Sequence, residues 1–270
     1  MQSLEKNNFS PTSLKVGIIL PAYNEYENIF ELLKQIDSAF KNKLIIIIDD
    51  STNDQIGKKI SKNENLIYHR RQKKLGRGSA VLFGLKEMLK NSEIDLFVEI
   101  DTDLSSHPKE ALDNLKYFLN NKIDLLIFSR YLKGSEIINW SILRRSFSFC
   151  ANRLAKFLLK VPVSDYTMGY RIYSRRAAQH IVNNCGNIGG GFIVLSETLV
   201  ELYTNNFKIR DIKTKFTNRE KGKSTVNIKL VLSSLLGLLK LYFSKRKKIH
   251  LFLKENKTSN TTKADDDQNV

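Results

Sequence analysis

Two pairs of aspartates are the first residues of this 270-residue chain whose type and spacing could do chemistry. Asp101 and Asp103, with Thr102 between them, close the apolar run DLFVEI. Carboxylates so placed suit a hard divalent cation such as Mg²⁺ or Mn²⁺. Such an ion takes few protein oxygens and fills its shell with water and substrate phosphate. The pattern alone is weak, since the acidic tail repeats it at Asp265 and Asp267. Only Asp101 follows a buried strand. Asp49 and Asp50 end the run LIIII in the same way. They could be strand-terminating turn residues or acceptors for a nucleotide base or ribose. Paired acids at two separate strand ends are unusual for plain turns.

The elements that must hold these residues are legible as apolar runs. Val16–Leu20, Leu44–Asp49, Asn65–His69, Asp95–Asp101 and Ile123–Ser129 alternate with helical patterns over Glu27–Phe40, over Ser79–Lys90 and from Pro108. Continuous apolar runs fit strands buried on both faces of a parallel sheet. Their alternation with helices predicts right-handed βαβ units and a doubly wound α/β fold. Ligands of such sheets bind beyond the carboxyl ends of the strands. There the chain places Pro21 to Glu25, Asp49 to Ser51, Arg70 to Gly78, Asp101 to Asp103, and Ser129 to Tyr131. No dinucleotide fingerprint is present, because Val81 stands where Gly76-Arg-Gly78 would need a third glycine, and no Walker A motif occurs. Four histidines and two cysteines show no zinc spacing. These absences set aside nicotinamide oxidoreductases and P-loop kinases.

Composition narrows the class further. With 41% apolar residues the chain can build a core. Cys150 and Cys185 are expected as buried thiols in a reducing compartment. A polar N-terminus without an apolar signal region, and no uncharged apolar run of membrane-spanning length, predict a cytosolic protein. The net charge of +16 is local: Lys208 to Lys248 carries thirteen Lys/Arg against two acids. Such a patch implies an anionic partner. No recognition-helix or RNA-binding motif accompanies it, so nucleic acid is not expected. From Ile228 to Ser244 the polar positions Lys229, Ser233, Ser234, Lys240 and Ser244 fall on one narrow helical stripe, and Lys245 to Lys248 follow. A helix lying in an anionic interface and a helix docked on the core both fit that pattern. Ile142 to Lys160 is also amphipathic, and the polar tail after Leu253 is expected to be disordered.

Eight ordered motifs add a resemblance: ILPAYNEYENI, IIDDSTND, KLGRGSAVLFGL, EIDTDLSSHP, FSRYLKG, LRRSFSFCANRLAKFLL, SDYTMGYRIY and TNREKGKST. From about Val16 to Thr225 the chain resembles the inverting GT-A glycosyltransferases of family 2, and among them the dolichol- or polyprenol-phosphate mannosyltransferases. The resemblance implies a GT-A nucleotide-diphospho-sugar transferase fold, mostly parallel, with an N-terminal polar extension over 1–15, a catalytic domain over 16–225, an amphipathic basic interface helix over 226–253 and a tail over 254–270. It implies transfer of a sugar, mannose from GDP-mannose first, to a polyprenyl or dolichyl phosphate at a membrane surface. UDP-glucose or another donor, and a glycan acceptor, remain alternatives.

Carried over residue by residue, Pro21, Tyr23, Glu25, Asp49 and Asp50 match nucleotide-contacting positions. Asp101 and Asp103 match the metal-binding pair, with Ser105 at the third-ligand position where many relatives have Gln. Arg130, Arg144 and Arg219 match arginines facing the donor diphosphate or acceptor phosphate, with Arg145 an alternative to Arg144 and Ser148 at a neighbouring acceptor position. Asp165, Thr167, Gly169 and Arg171 match an Asp-x-Thr-x-Gly-x-Arg stretch, Glu197 matches a family glutamate, and Thr225 replaces a common lysine. The set is chemically coherent. A metal and arginines stabilise a departing diphosphate, and the arginine fork suits phosphate oxygens. A lipid monophosphate is already close to doubly charged, with a second pKa of roughly 6, so it needs little help from a base.

Overall fold

The computed structural model describes residues 14–60, 63–218 and 228–266. In chain order its elements are β1 (Val16–Ala22), α1 (Tyr26–Ala39), β2 (Lys43–Asp49), β3 (Leu66–Arg70), α2 (Arg77–Met88), β4 (Leu96–Glu99), α3 (Pro108–Asn120) and β5 (Leu125–Ser129). Then follow β6 (Glu136–Ile138), α4 (Ile142–Leu159), β7 (Arg171–Ser174), α5 (Arg175–Asn184), α6 (Ile193–Tyr203), β8 (Ile209–Lys213), β9 (Lys215–Thr217) and α7 (Ile228–Asp266). Seven strands form one sheet in the order β3-β2-β1-β4-β7-β5-β8, and β6 pairs with β9 in a small ribbon.

The apolar runs become the buried centre of that sheet, except Asn65–His69, which becomes the solvent-facing edge strand β3. Every residue of β1, β4 and β5 is buried, and α1 seals one face with Ile29, Leu32 and Ile36. Burying each such side chain contributes about 1.5–3 kcal/mol. The pairs β1–β2, β1–β4, β2–β3 and β5–β8 are parallel, as continuous apolar runs predict. The exception is β7, which lies antiparallel between β4 and β5. From β1 the chain builds outward through β2 and β3, then lays β4 on the other side of β1. Strand order reverses there, and such a switch point opens a crevice at the carboxyl ends of the two strands.

Two readings change at the periphery. The last helix does not stop at 253 but runs for 39 residues to Asp266, through a stretch where composition predicted disorder. No glycine or proline follows Gly237, so nothing in the sequence breaks the helical backbone. Its length alone would exceed a bilayer core, yet among the described residues no helix is long and apolar enough to cross a membrane. Cys185 is half-buried and its thiol is pushed up to about 12 by burial and by Glu197 and Glu201. Cys150, expected inside, is exposed on α4.

Candidate functional site

The crevice walls are joined directly. Thr102 Oγ1 donates to the Pro21 carbonyl at 3.1 Å, tying the end of β1 to the turn after β4. Asn24, in the left-handed region at φ 57°, donates its N–H to Ser51 Oγ at 2.8 Å and so links the turn after β1 to that after β2. Tyr23 presents its ring at this rim with Lys74 Nζ 3.5 Å from the centroid. Glu25 is buried and accepts from Asn28 Nδ2 at 2.7 Å at the start of α1.

Asp49 and Asp50 sit at this edge, yet both carboxylates turn inward. Asp49 is fully buried, accepting from the Ser51 N–H and hydroxyl and from Tyr68 Oη. Asp50 takes Arg71 through two bonds of 2.5 and 2.7 Å, and also accepts from the N–H groups of Leu75 and Gly76. Gly76, at φ 99°, opens α2. Internal donors thus fix both carboxylates and build the loops at this edge.

Asp101 is different: its side chain keeps 26% exposure at the switch point. Asp103 follows on the same turn, its Oδ1 accepting the Ser105 N–H at 3.1 Å. Between them Leu104 adopts φ 61°, a conformation that costs a bulky residue roughly 1–3 kcal/mol and concentrates at functional sites. Ser105, the expected third ligand, is 1% exposed and its Oγ has no hydrogen-bond partner among the described residues. Among the described residues no group of three or more His, Cys, Asp or Glu forms a metal cage. Two carboxylates beside an open crevice still fit Mg²⁺ or Mn²⁺, which draw most ligands from water and phosphate.

The arginines divide by burial. Arg130, 9% exposed, is clamped by Asp165 through Nε at 2.7 Å and Nη2 at 2.9 Å, and Nη2 also reaches Thr167 Oγ1. Burial works against the Asp165 charge, but the Arg130 guanidinium outweighs it and holds the carboxyl below its usual range. Most of this arginine's donors are therefore spent on the scaffold. Arg144, near the N-terminus of α4, lies over Trp140 at 4.1 Å and donates to Asn218 Oδ1 at 3.1 Å. The preceding residue, Thr217, donates its N–H to the Ser105 carbonyl, so α4 is tied to the carboxylate turn through β9. Tyr131 Oη donates to Ser148 Oγ at 2.6 Å on the same side. Arg219 and Thr225 lie outside the described residues.

Sequence reasoning passed over Arg77. Its Nε donates to Asp101 at 2.7 Å and its Nη1 to Glu99 at 2.5 Å, while Tyr173 Oη holds the other Glu99 oxygen. A Cβ on Gly169 would sit 1.8 Å from Arg77 Nη2, so the glycine of the Asp-x-Thr-x-Gly-x-Arg stretch is the seat of this guanidinium. Arg171 of that stretch is fully buried and donates to the Met168 and Leu195 carbonyls. The signal available was Gly76-Arg-Gly78 at the ligand edge. Glu197 is 1% exposed and accepts the Gly186 N–H, and burial raises its carboxyl. A cavity of about 610 Å³ lined by Glu110, Glu136 and Lys213 shares none of these residues.

Comparison with known proteins agrees with this architecture. The sequence profile described as glycosyl transferase family 2 matches residues 17–182. A dolichol-phosphate mannosyltransferase of Pyrococcus furiosus is 31% identical over 235 residues, 84% of this chain and 64% of that protein. The chain thus spans just under two thirds of that relative's length. A polyprenol monophosphomannose synthase of Mycolicibacterium smegmatis is 30% identical over 215 residues, covering 78% of this chain and 80% of the relative. Among solved structures, glucosyl-3-phosphoglycerate synthase from Mycobacterium tuberculosis, in complex with Mn²⁺, UDP-glucose and phosphoglyceric acid, superposes with a TM-score of 0.61. That match covers 85% of this chain and 80% of the other at 19% identity, and it shows a shared GT-A fold.

Proposed function

The chain belongs to glycosyl transferase family 2, and from that premise we propose that it moves mannose from GDP-mannose to a polyprenyl or dolichyl phosphate, with inversion and with the aid of Mg²⁺ or Mn²⁺. The observation that carries this reading is the Asp101–Asp103 turn at the switch point, tied through Ser105, Thr217 and Asn218 to Arg144 on α4. Donor-side acids and acceptor-side cations thereby meet across one crevice. The two mannosyl transferases of lipid phosphates named above support the choice of sugar and acceptor.

In this mechanism Pro21, Tyr23 and Glu25 line the nucleotide end of the crevice, with Lys74 beside the Tyr23 ring. Asp101 and Asp103 would hold the divalent ion, which would supply positive charge to offset that of the departing diphosphate. Arg144, Arg145 and Arg219 bring the anionic acceptor toward an anionic donor, and Ser148 with Tyr131 shapes the acceptor side. The acceptor phosphate oxygen forms the new bond to the anomeric carbon from the face opposite the breaking bond to diphosphate. A hydroxyl acceptor would need a general base, and Glu197, which matches a family glutamate, is enclosed and pinned to Gly186. An already ionised phosphate needs none.

The acceptor's lipid chain places this chemistry at a membrane surface. Ile142, Leu143, Phe147 and Phe157 of α4 and Leu236 and Phe243 of α7 are exposed, among the outward cations Arg145, Arg153, Lys240, Arg246 and Lys247. A small groove between the two helices is lined by Phe157, Tyr242 and Ile249 with Lys160, Arg246 and His250. Apolar groups ringed by cations suit an anionic interface. The test is a transfer assay pairing GDP-mannose or UDP-glucose with a short polyprenyl phosphate or a glycan, with and without EDTA. Mannosyl transfer to the polyprenyl phosphate, lost in EDTA, is expected. Preference for UDP-glucose or for the glycan would replace the donor or acceptor in this reading.

A further inference from the structure

Arg77 is the cation nearest the switch-point carboxylates, and no step of the proposed transfer uses it. Its guanidinium lies between two acids on a glycine floor: Glu99, wholly buried, takes Nη1, and Asp101 Oδ1 takes Nε. Nη2 lies 2.6 Å from the same Asp101 oxygen but without hydrogen-bond geometry, and it is a buried donor with no partner. Buried donors of this kind are rare and call for a reason. Asp101 Oδ2 accepts no bond among the described residues, so one oxygen is held by an internal cation while the other is left to the crevice.

We propose that Arg77 is a fixed counter-ion that makes divalent-metal capture at Asp101 depend on the donor diphosphate, imposing nucleotide before metal. A metal ion on Oδ2 would lie against the guanidinium on Oδ1, and two positive charges in a partly buried crevice repel strongly. A diphosphate relieves that conflict by adding negative charge beside both cations. Glu99 and Tyr173 keep the guanidinium from swinging away, because among the described residues Glu99 has no other basic partner and is itself held by the tyrosine hydroxyl. The site is thus kept poor in free metal until substrate is present. The inference rests on Asp101 being the metal ligand.

A direct test measures Mn²⁺ binding to the full chain by electron paramagnetic resonance without nucleotide, and GDP binding by calorimetry in EDTA. Arg77→Gln should tighten nucleotide-free Mn²⁺ binding by about tenfold, since a neighbouring like charge is gone. The same variant should weaken GDP in EDTA by at least about threefold, since a positive charge beside the diphosphate is lost. A merely structural arginine predicts the opposite sign for Mn²⁺, because Asp101 would lose its orientation. Arg77→Gln strands the Glu99 charge, so Arg77→Gln with Glu99→Gln serves as the variant that keeps the interior neutral and should show the same two shifts. Unchanged or weaker Mn²⁺ binding in both variants overturns the proposal. If Asp101→Asn still abolishes Mn²⁺ binding in that case, the ligand assignment stands and only the role of Arg77 falls.

Discussion

The edge of β1, β2 and β4 and the outer face of α4 and α7 solve opposite problems. At the strand edge, charged groups are matched in pairs, Asp50 with Arg71 and both Glu99 and Asp101 with Arg77, and after β5 Asp165 is matched with Arg130. On the helices, apolar groups are exposed: Leu143 is 81% accessible and Phe157 74%. A buried ion pair costs desolvation and returns a fixed geometry, whereas a contiguous exposed apolar surface marks a contact surface. The first region is organised before any ligand arrives. The second leaves large apolar side chains in solvent.

That contrast is tested most severely at Asp101. Asp101→Asn removes charge from the open carboxylate yet leaves Arg77 paired with Glu99. Turnover should fall by roughly 100- to 1000-fold, the scale of losing an electrostatic element at a developing charge, with the circular-dichroism melting curve little changed. Asp165→Asn should behave in reverse. It strips Arg130 of its bidentate partner in a buried setting, and breaking such a pair costs about 3–5 kcal/mol. Urea unfolding should register that loss in full. A variant with native stability and collapsed turnover would make Arg130 a ligand for phosphate first and a scaffold group second.

The sequence made the matched region legible in position but not in role. Unbroken apolar runs located β1, β2, β4 and β5, and with them the turns that carry Asp49, Asp50, Asp101 and Asp103. It could not show which way a carboxylate points. Asp49 faces Tyr68 and Ser51 because β3 lies beside β2, a long-range consequence of strand order. Arg77 escaped notice because its partners are 22 and 24 residues away and its seat, Gly169, comes from another element. The antiparallel β7 was hidden for a similar reason, since RIYS carries a buried arginine rather than an apolar run. Amphipathic periodicity did find α4 and α7, but it left open which apolar residues each would bury.

The helices offer the next test because α7 has two faces. Leu241 is fully buried, whereas Leu143 and Phe157 on α4 face outward. Leu143→Ser with Phe157→Ser should leave unfolding free energy within about 0.5 kcal/mol of the parent. Each lost side chain should remove about 1.5–3 kcal/mol of burial in lipid, weakening sedimentation with anionic vesicles roughly 10- to 100-fold per residue. Leu241→Ser should show the converse, lower stability with the outward face intact. Vesicle binding that ignores the double variant would remove this face from the membrane contact.

The smallest effect separates cations that were alike in sequence. Lys245 and Lys248 both contact Glu201 of α6 at 2.9 Å, while Arg246 and Lys247 point outward. Burial disfavours the charged Glu201, but the two lysines outweigh it and hold the carboxyl at about 2. A depressed acid stabilises the folded state above its ordinary value near 4.5, and that contribution disappears as pH falls toward 2. The melting temperature of Glu201→Gln should therefore lie below the parent's by about 2–4 °C at pH 7, and the gap should close progressively between pH 4.5 and 2. The lysines keep 23% and 40% exposure, so salt should narrow the gap as well. Arg246→Gln with Lys247→Gln should leave the melting curve alone and weaken anionic-vesicle binding by about 1 kcal/mol per charge. Should the Glu201→Gln gap persist at pH 2, the docking of α7 would rest on Leu241 and Ile249, and the lysine pair would return to the outward basic cluster.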